Sequence, residues 1–415
     1  MKFDTIIIGG GLSGLTAGVR LSKAGQKVAI ITSGQSALHF LSGSFGLLGR
    51  LNGKEVSNPI EAIKQLPADH PYSKVGVDNI ERHAETVVEI FKEAGLTTKG
   101  STSANHHFLT PIGKSDPTWL TLDDFATADN PTDTPYKKVA IINFKGYLDF
   151  YPEFISNGLK KRGVATECYT LALPILEHLR KNTSEMRAAT IAKVLKGDTL
   201  RQLGEQINQV IGNVDGVIMP AVVGLGSEKP LHELRSIVKK PLHCVGVLPM
   251  SVSGLRAQKR LKQLFEKHGG TYLLGDSVVN GYVADGKLQA VDTTNLSPMQ
   301  LEADNFILAT GSFFSQGLIA EPTRIYEPVF GVDVIYPSNR DEWFSRDIVS
   351  TQPFMEFGVD TNASFQTKKN GEVIPNLYAV GAILAGSHPI QEGSGGGIAI
   401  MTALSVAEHI LKSTK

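Results

Sequence analysis

Phe3-Asp4-Thr5-Ile6-Ile7-Ile8-Gly9-Gly10-Gly11-Leu12-Ser13-Gly14 is the stretch that decides the fold. Its Ile-rich start has the near-continuous apolarity of a strand buried on both faces in a parallel sheet. Gly9, Gly11 and Gly14 then fall at the G-x-G-x-x-G spacing. In that spacing the glycines serve a tight turn, close approach of backbone to phosphate, and close helix-to-strand packing. Apolar residues from Leu15 to Ala24 recur at helical spacing and stop at Gly25, and Lys27 to Ile31 reads as a second strand. One strand–helix–strand unit in about thirty residues is the minimum for a right-handed parallel crossover. The helix start behind the glycines offers unpaired N–H groups and a positive dipole end to an anion. A glycine-rich turn without ligand is the bland alternative; the position directly between strand and helix favours the phosphate cradle.

Working outward, the residue closing the second strand normally carries an acid for an adenosine ribose. Here it is Thr32, with one hydroxyl and no carboxylate. The next segment, Ser33 to Gly46, is rich in small and hydroxyl residues. In flavoproteins that open this way it passes beneath the flavin, where small residues let the backbone approach a flat ring. Ser36, Ser42, Gly43 and Ser44 are the candidates there, with an ordinary polar loop as the alternative. His39 is a candidate proton donor, and a satisfied structural histidine is the competing reading. At the far end, Ala309-Thr310-Gly311-Ser312 looks like the strand-then-glycine return of two-domain flavin oxidoreductases. Asn376 to Gly381, then Gly395-Gly396-Gly397 and a final helix from Ile398 to about Leu411, resembles their closing segment. There the helix start faces the flavin pyrimidine ring and stabilises its reduced, anionic form. Gly311, Gly381, Gly395, Gly396 and Gly397 therefore join Gly9, Gly11, Gly14 and Thr32 as cofactor-binding candidates. Ala382 stands where such proteins place an acid for the ribityl chain.

The middle of the chain differs. Residues from about 50 to 250 hold many of the prolines, helical segments at Ile80–Ala94 and Thr183–Leu195, and strand-like runs at Val139–Ile142, Val164–Leu173 and Val214–Met219. Asn105 to Pro135 is polar and rich in Pro, Asp and Thr, which reads as a surface connection. The expected architecture is α/β: a dinucleotide-binding, Rossmann-like flavoprotein fold made of residues 1–50 and 251–415. A large inserted α+β domain, residues 51–250, faces substrate or partner.

With 415 residues the chain exceeds what one hydrophobic core supports. Forty-one basic and 41 acidic residues give a net charge of +0, which excludes a global field for nucleic acid or anionic lipid. Two cysteines, Cys168 and Cys244, cannot hold an iron–sulfur cluster or structural zinc, and read as buried neutral thiols in a reducing compartment. His106-His107 reads as a loop pair without carboxylate support, so no metal site is expected. No run reaches the ~20 apolar residues of a membrane span, and the start is not a signal peptide. Arg256, entering a basic helix with Lys259, Arg260 and Lys262, is a candidate grip for a phosphate or carboxylate; a solvated helix face is the alternative.

Together these segments resemble the B subunit of the anaerobic glycerol-3-phosphate dehydrogenase. Gly34-Gln35-Ser36-Ala37-Leu38-His39-Phe40 with Ser42-Gly43-Ser44 is the most specific part, and His70-Pro71-Tyr72-Ser73, Ser312-Phe313-Phe314, Glu327-Pro328 with Gly331, Phe357-Gly358-Val359 and Pro389-Ile390 match too. The resemblance implies a quinone-linked oxidoreductase of glycerol degradation and anaerobic respiration, oxidising sn-glycerol 3-phosphate to dihydroxyacetone phosphate. It implies a complex with two partner proteins. One is the FAD-containing catalytic partner (the A subunit), and the other is an iron–sulfur, membrane-anchoring partner (the C subunit). The chain itself is expected to hold FMN, with FAD as the alternative, and to sit on the cytoplasmic face of the inner membrane through its partners while soluble alone. Two other readings remain open: a self-sufficient FAD oxidoreductase of the fumarate-reductase or ketosteroid-dehydrogenase kind, and a scaffold that binds no flavin.

Overall fold

Ile6 and Ile7 are fully buried and Ile8 is only 5% exposed, because the strand they form is paired on both edges. In the computed structural model, which describes residues 1–133 and 135–413, that strand is β1 (Lys2–Ile8), followed by α1 (Leu12–Lys23) and β2 (Val28–Thr32). The chain returns to the same sheet with β3 (Thr271–Leu274), β4 (Val278–Ala284), β5 (Lys287–Thr293), β6 (Leu301–Leu308), β7 (Gln366–Lys369) and β8 (Glu372–Ala379). The sheet order is β3-β2-β1-β6-β5-β4, with β8 also paired to β6 and β7 to β8. Strands β3, β2, β1, β6 and β8 run parallel, so the Rossmann-like expectation holds at its centre. β4, β5 and β6 form an antiparallel meander at one side. The last helix (Gly395–Ser413) packs on α1. It buries Ile398, Ile400, Met401, Leu404, Val406 and Ile410, so it is a core helix rather than a one-faced surface helix.

Two compact units divide the chain: Met1–Ala37, Gly46–Ala94 and Leu261–Lys415 form the first, Leu38–Phe45 and Gly95–Arg260 the second. The boundaries differ from those expected. Residues 46–94 belong with the parallel sheet rather than the insert. Helix Val77–Glu93 buries Ile80, Ala84, Val87, Ile90 and Phe91, and this face packs, with helix Pro71–Val75, on the last helix. The Tyr72 hydroxyl donates to the Leu47 carbonyl at 2.6 Å, which ties the segment further. Leu38–Phe45, conversely, belongs to the second unit, where Ser44–Phe45 pairs with Leu120–Leu122.

The second unit has its own four-stranded parallel sheet, in the order Ala165–Leu171, Lys138–Phe144, Gly216–Pro220, Leu242–Val245. The supposed surface connection 105–135 instead contributes strands to two small antiparallel sheets. Trp119, Leu120, Leu122 and Phe125 supply their buried side chains. Pro117 is accommodated because its strand, Ser115–Thr118, lies at a sheet edge. His106 and His107 are strand residues, not a loop pair. Cys244 is buried, and burial pushes its thiol up to about 12; Cys168 is exposed, contrary to expectation, because it falls on the open side of an edge strand. No helix among the described residues is long and apolar enough to cross a membrane.

Candidate functional site

The glycines after β1 are held by sterics. Gly9 has φ +115°, and a Cβ there would overlap the Ala309 carbonyl. A Cβ at Gly14 would overlap the Gly9 carbonyl itself. These two glycines let the turn, the helix start and the end of β6 close on one another. Gly11 is different: the nearest atom a Cβ would meet is the Cβ of Ser36, at 3.7 Å. Its backbone is open. Gly11 is also the residue that caps α1, with no side-chain cap and no acid in the first turn. The first N–H groups of a 12-residue helix therefore keep their full capacity for an anion.

A hydroxyl in the return motif, which sequence reading did not single out, lacks a partner. Thr310 follows Ala309, whose N–H donates to the Ile8 carbonyl at 2.8 Å. The Thr310 Oγ1 is buried and has no partner among the described residues. An orphaned hydroxyl costs about 1–3 kcal/mol; this one lies 2.9 Å from where a Gly317 Cβ would sit, in the turn after β6. The helix start and the open Gly11 backbone fit the phosphate of a flavin nucleotide. Thr32 packs its methyl against the loop, 2.9 Å from where a Gly10 Cβ would sit, and donates its hydroxyl to the Gly34 carbonyl at 3.2 Å. Gly311, at φ +80°, forms the turn after Thr310.

The closing segment reaches the same helix start. Gly381 has φ +77°, and a Cβ there would lie 2.6 Å from Ser13 Oγ on α1. Its N–H donates to Thr402 Oγ1, 2.9 Å away on the last helix. Gly395 is exposed and near only Pro389, Gly396 is half-buried, and Gly397 is buried with its N–H donating to the Gly46 carbonyl at 2.7 Å. A Cβ at Gly397 would overlap the Tyr72 hydroxyl. Glu392, just upstream, accepts from the His388 N–H (2.9 Å), Ser394 Oγ (2.6 Å) and His70 Nε2 (3.4 Å). Burial raises its pKa, but these hydrogen bonds outweigh burial and hold the carboxyl below its ordinary range. Sequence reading missed the His70 contact, since that residue lies 322 positions from Glu392.

The remaining candidates lie in the second unit. Gly43, at φ +98°, sits against the ring of Phe125, and Ser42 Oγ lies 3.3 Å from Ser44 Oγ. His39 is 4% exposed; burial lowers its pKa and a hydrogen bond with Gln258 partly restores it. Arg256 is neither a substrate grip nor part of a solvated face. It is fully buried in helix Val252–Lys267, donates to both Asp124 carboxylate oxygens at 2.6 Å, and donates to the Gly224 carbonyl at 3.0 Å. Arg187 and Arg235 are likewise held by Asp149 and Asp123. No cluster of three or more His, Cys, Asp or Glu residues suited to a metal occurs among the described residues.

The family model described as "FAD binding domain" matches residues 4–398. The anaerobic glycerol-3-phosphate dehydrogenase B subunit of Yersinia enterocolitica is 38% identical over 100% of this chain and 99% of that protein. The protein of the same description from Pectobacterium carotovorum is 38% identical over 99% of each. Among solved structures, 3-ketosteroid delta1-dehydrogenase from Sterolibacterium denitrificans aligns over 99% of this chain and all of that one, at 10% identity and a TM-score of 0.43. On the strength of the full-length relatives and the FAD-binding domain, the chain belongs to the B-subunit family of the anaerobic glycerol-3-phosphate dehydrogenases, which are flavin-dependent oxidoreductases.

Proposed function

We propose that the chain is an electron-relaying flavoprotein subunit of an anaerobic glycerol-3-phosphate dehydrogenase. The complex oxidises sn-glycerol 3-phosphate to dihydroxyacetone phosphate and sends the electrons toward quinone. In this reading one partner, the A subunit, holds FAD and the substrate chemistry. The other, the C subunit, holds iron–sulfur clusters and the membrane attachment that keeps the complex on the cytoplasmic face. The observation that carries the reading is the uncapped start of α1 beside the open Gly11 backbone. These groups hold the phosphate. Within the first unit, Gly381 and the Gly395–Gly397 turn would set the last helix start toward the ring, with Ser36 as a companion contact. A bound flavin supplies a two-electron acceptor; the chain binds and orients it and excludes water.

The assignment of FMN rather than FAD rests on one absent carboxylate: at the adenosine-ribose position Thr32 has none and turns its hydroxyl to its own loop. The relay role rests on the cations. Gripping a phosphate dianion calls for uncommitted positive groups and a positioned base, yet Arg256, the candidate grip, is neutralised by Asp124. That also removes the support Arg256 lent to a self-sufficient oxidoreductase. Purified, flavin-loaded chain is expected to show no useful oxidation of glycerol 3-phosphate with an artificial acceptor, while the assembled complex turns over. Equal turnover by the lone chain would refute the relay. Mass spectrometry of the released cofactor tests FMN; stoichiometric FAD surviving extensive dialysis would refute it.

A further inference from the structure

Gly10 fills a position that the G-x-G-x-x-G spacing leaves to any residue. It is buried and its φ is not positive, so its backbone angles do not require glycine. A neighbouring side chain does. A Cβ at Gly10 would overlap the Tyr272 hydroxyl and lie 2.9 Å from Thr32 Cγ2. Tyr272 stands on β3 level with Ile30 of β2, while Leu274 is level with Thr32. Its ring therefore reaches forward along the sheet and carries the hydroxyl to the turn after β1.

That position matters for a dinucleotide. On such a turn the pyrophosphate sits at the helix start and the adenosine ribose at the end of the second strand. Here the two places are Gly11 and Thr32, and Gly10 joins them, bonded to the first and packed on the second. The first place is open, with no atom closer than 3.7 Å to a Gly11 Cβ. The second is shut: the Tyr272 hydroxyl over Gly10 is buried, and Thr32 is only 8% exposed. The ring is also held. Lys262 Nζ lies over its face, 4.6 Å from the centroid, and 3.6 Å from Glu266 Oε1. All these residues belong to the first unit.

An open phosphate place beside a closed ribose place suits a cofactor that ends at one phosphate. We propose that Tyr272 sets the cofactor specificity of this site: its side chain takes the place of an adenosine ribose, excluding FAD while leaving the phosphate of FMN its contact with the helix start. This rests on the FMN reading given above and names the residue that enforces it. The effect is distinct from that of the absent acid. Lack of a carboxylate at Thr32 forgoes a hydrogen bond to the ribose, whereas a filled place forces either the adenosine or the tyrosine out of position.

The test is titration of the full chain, freed of flavin, with FMN and FAD in turn, read by quenching of flavin fluorescence. The unmodified chain is expected to bind FMN about tenfold more tightly than FAD, or better. Tyr272→Val keeps a strand-forming residue on β3 and opens the ribose place. It is expected to tighten FAD about tenfold while FMN stays within about twofold of its original affinity. Tyr272→Thr, equally suited to a strand, repeats the measurement and is expected to agree. FAD still excluded from both variants, with FMN bound as before, would overturn the proposal and leave the FMN reading standing. Equal weakening of both flavins would also overturn it, marking Tyr272 as a packing residue alone. If the unmodified chain binds FAD as tightly as FMN, the FMN reading itself fails, and the proposal with it.

Discussion

At Gly11 and Gly14 two residues of one kind, three positions apart, do separate jobs, and substitution separates them. Valine at Gly11 meets no protein atom closer than 3.7 Å from its Cβ, so the fold is expected to survive. Its branched side chain fills the approach to the helix start, and flavin content after purification should fall to near zero. Valine at Gly14 would overlap the Gly9 carbonyl. Overpacking of that kind costs about 1–3 kcal/mol or more, so this variant should lose melting temperature as well as flavin. Circular dichroism melts read beside flavin absorbance distinguish the two. Normal flavin content in Gly11→Val would remove the phosphate-cradle assignment.

Among elements, helix Val252–Lys267 shows how far a side chain's role depends on what surrounds it. Its basic residues read alike in sequence, yet Lys259 is exposed while Arg256 is fully buried against Asp124 and the Gly224 carbonyl. Removing one partner of a buried ion pair leaves an uncompensated charge, at about 3–5 kcal/mol. Arg256→Ala should therefore lower unfolding stability by that order. Arg256→Met combined with Asp124→Leu should recover much of the loss, since apolar replacement of the whole pair is often neutral. Denaturant unfolding of the two single variants and the double gives the coupling directly. A double variant no more stable than Arg256→Ala would show that the pair does more than neutralise itself.

Across the whole molecule, acid sensitivity is written into both units by histidines taken partly or wholly out of water: His83 is buried, His106 and His243 half-buried. Burial depresses His83 of the first unit, and His106 and His243 of the second, from 6.5 to about 4. In the unfolded chain each would protonate near 6.5, so between pH 6.5 and 4 the unfolded state binds more protons. Stability is then complete above pH 6.5 and falls as the pH drops toward 4. Melting temperature should decline over that window, and His83→Phe or His243→Phe should each flatten the decline. A melting temperature that is level from pH 7 to 4.5 would contradict the burial of these rings as neutral groups.

What the sequence determined by itself was local. A strand running straight into glycines at fixed spacing, and a helix starting behind them, follow from backbone sterics within a dozen residues, and so the parallel fold was legible. The missing acids at Thr32 and Ala382 were equally plain. Tertiary structure decided what depends on distant partners. Residues 46–94 joined the first unit because the apolar face of Val77–Glu93 packs on a helix more than 300 residues later. Arg256 became a structural cation because Asp124, 132 positions away, meets it in a space closed to water. Thr310 stood out only when folding buried its hydroxyl by Gly317 without a partner among the described residues. Burial and charge pairing are properties of the packed chain, and no local spacing encodes them.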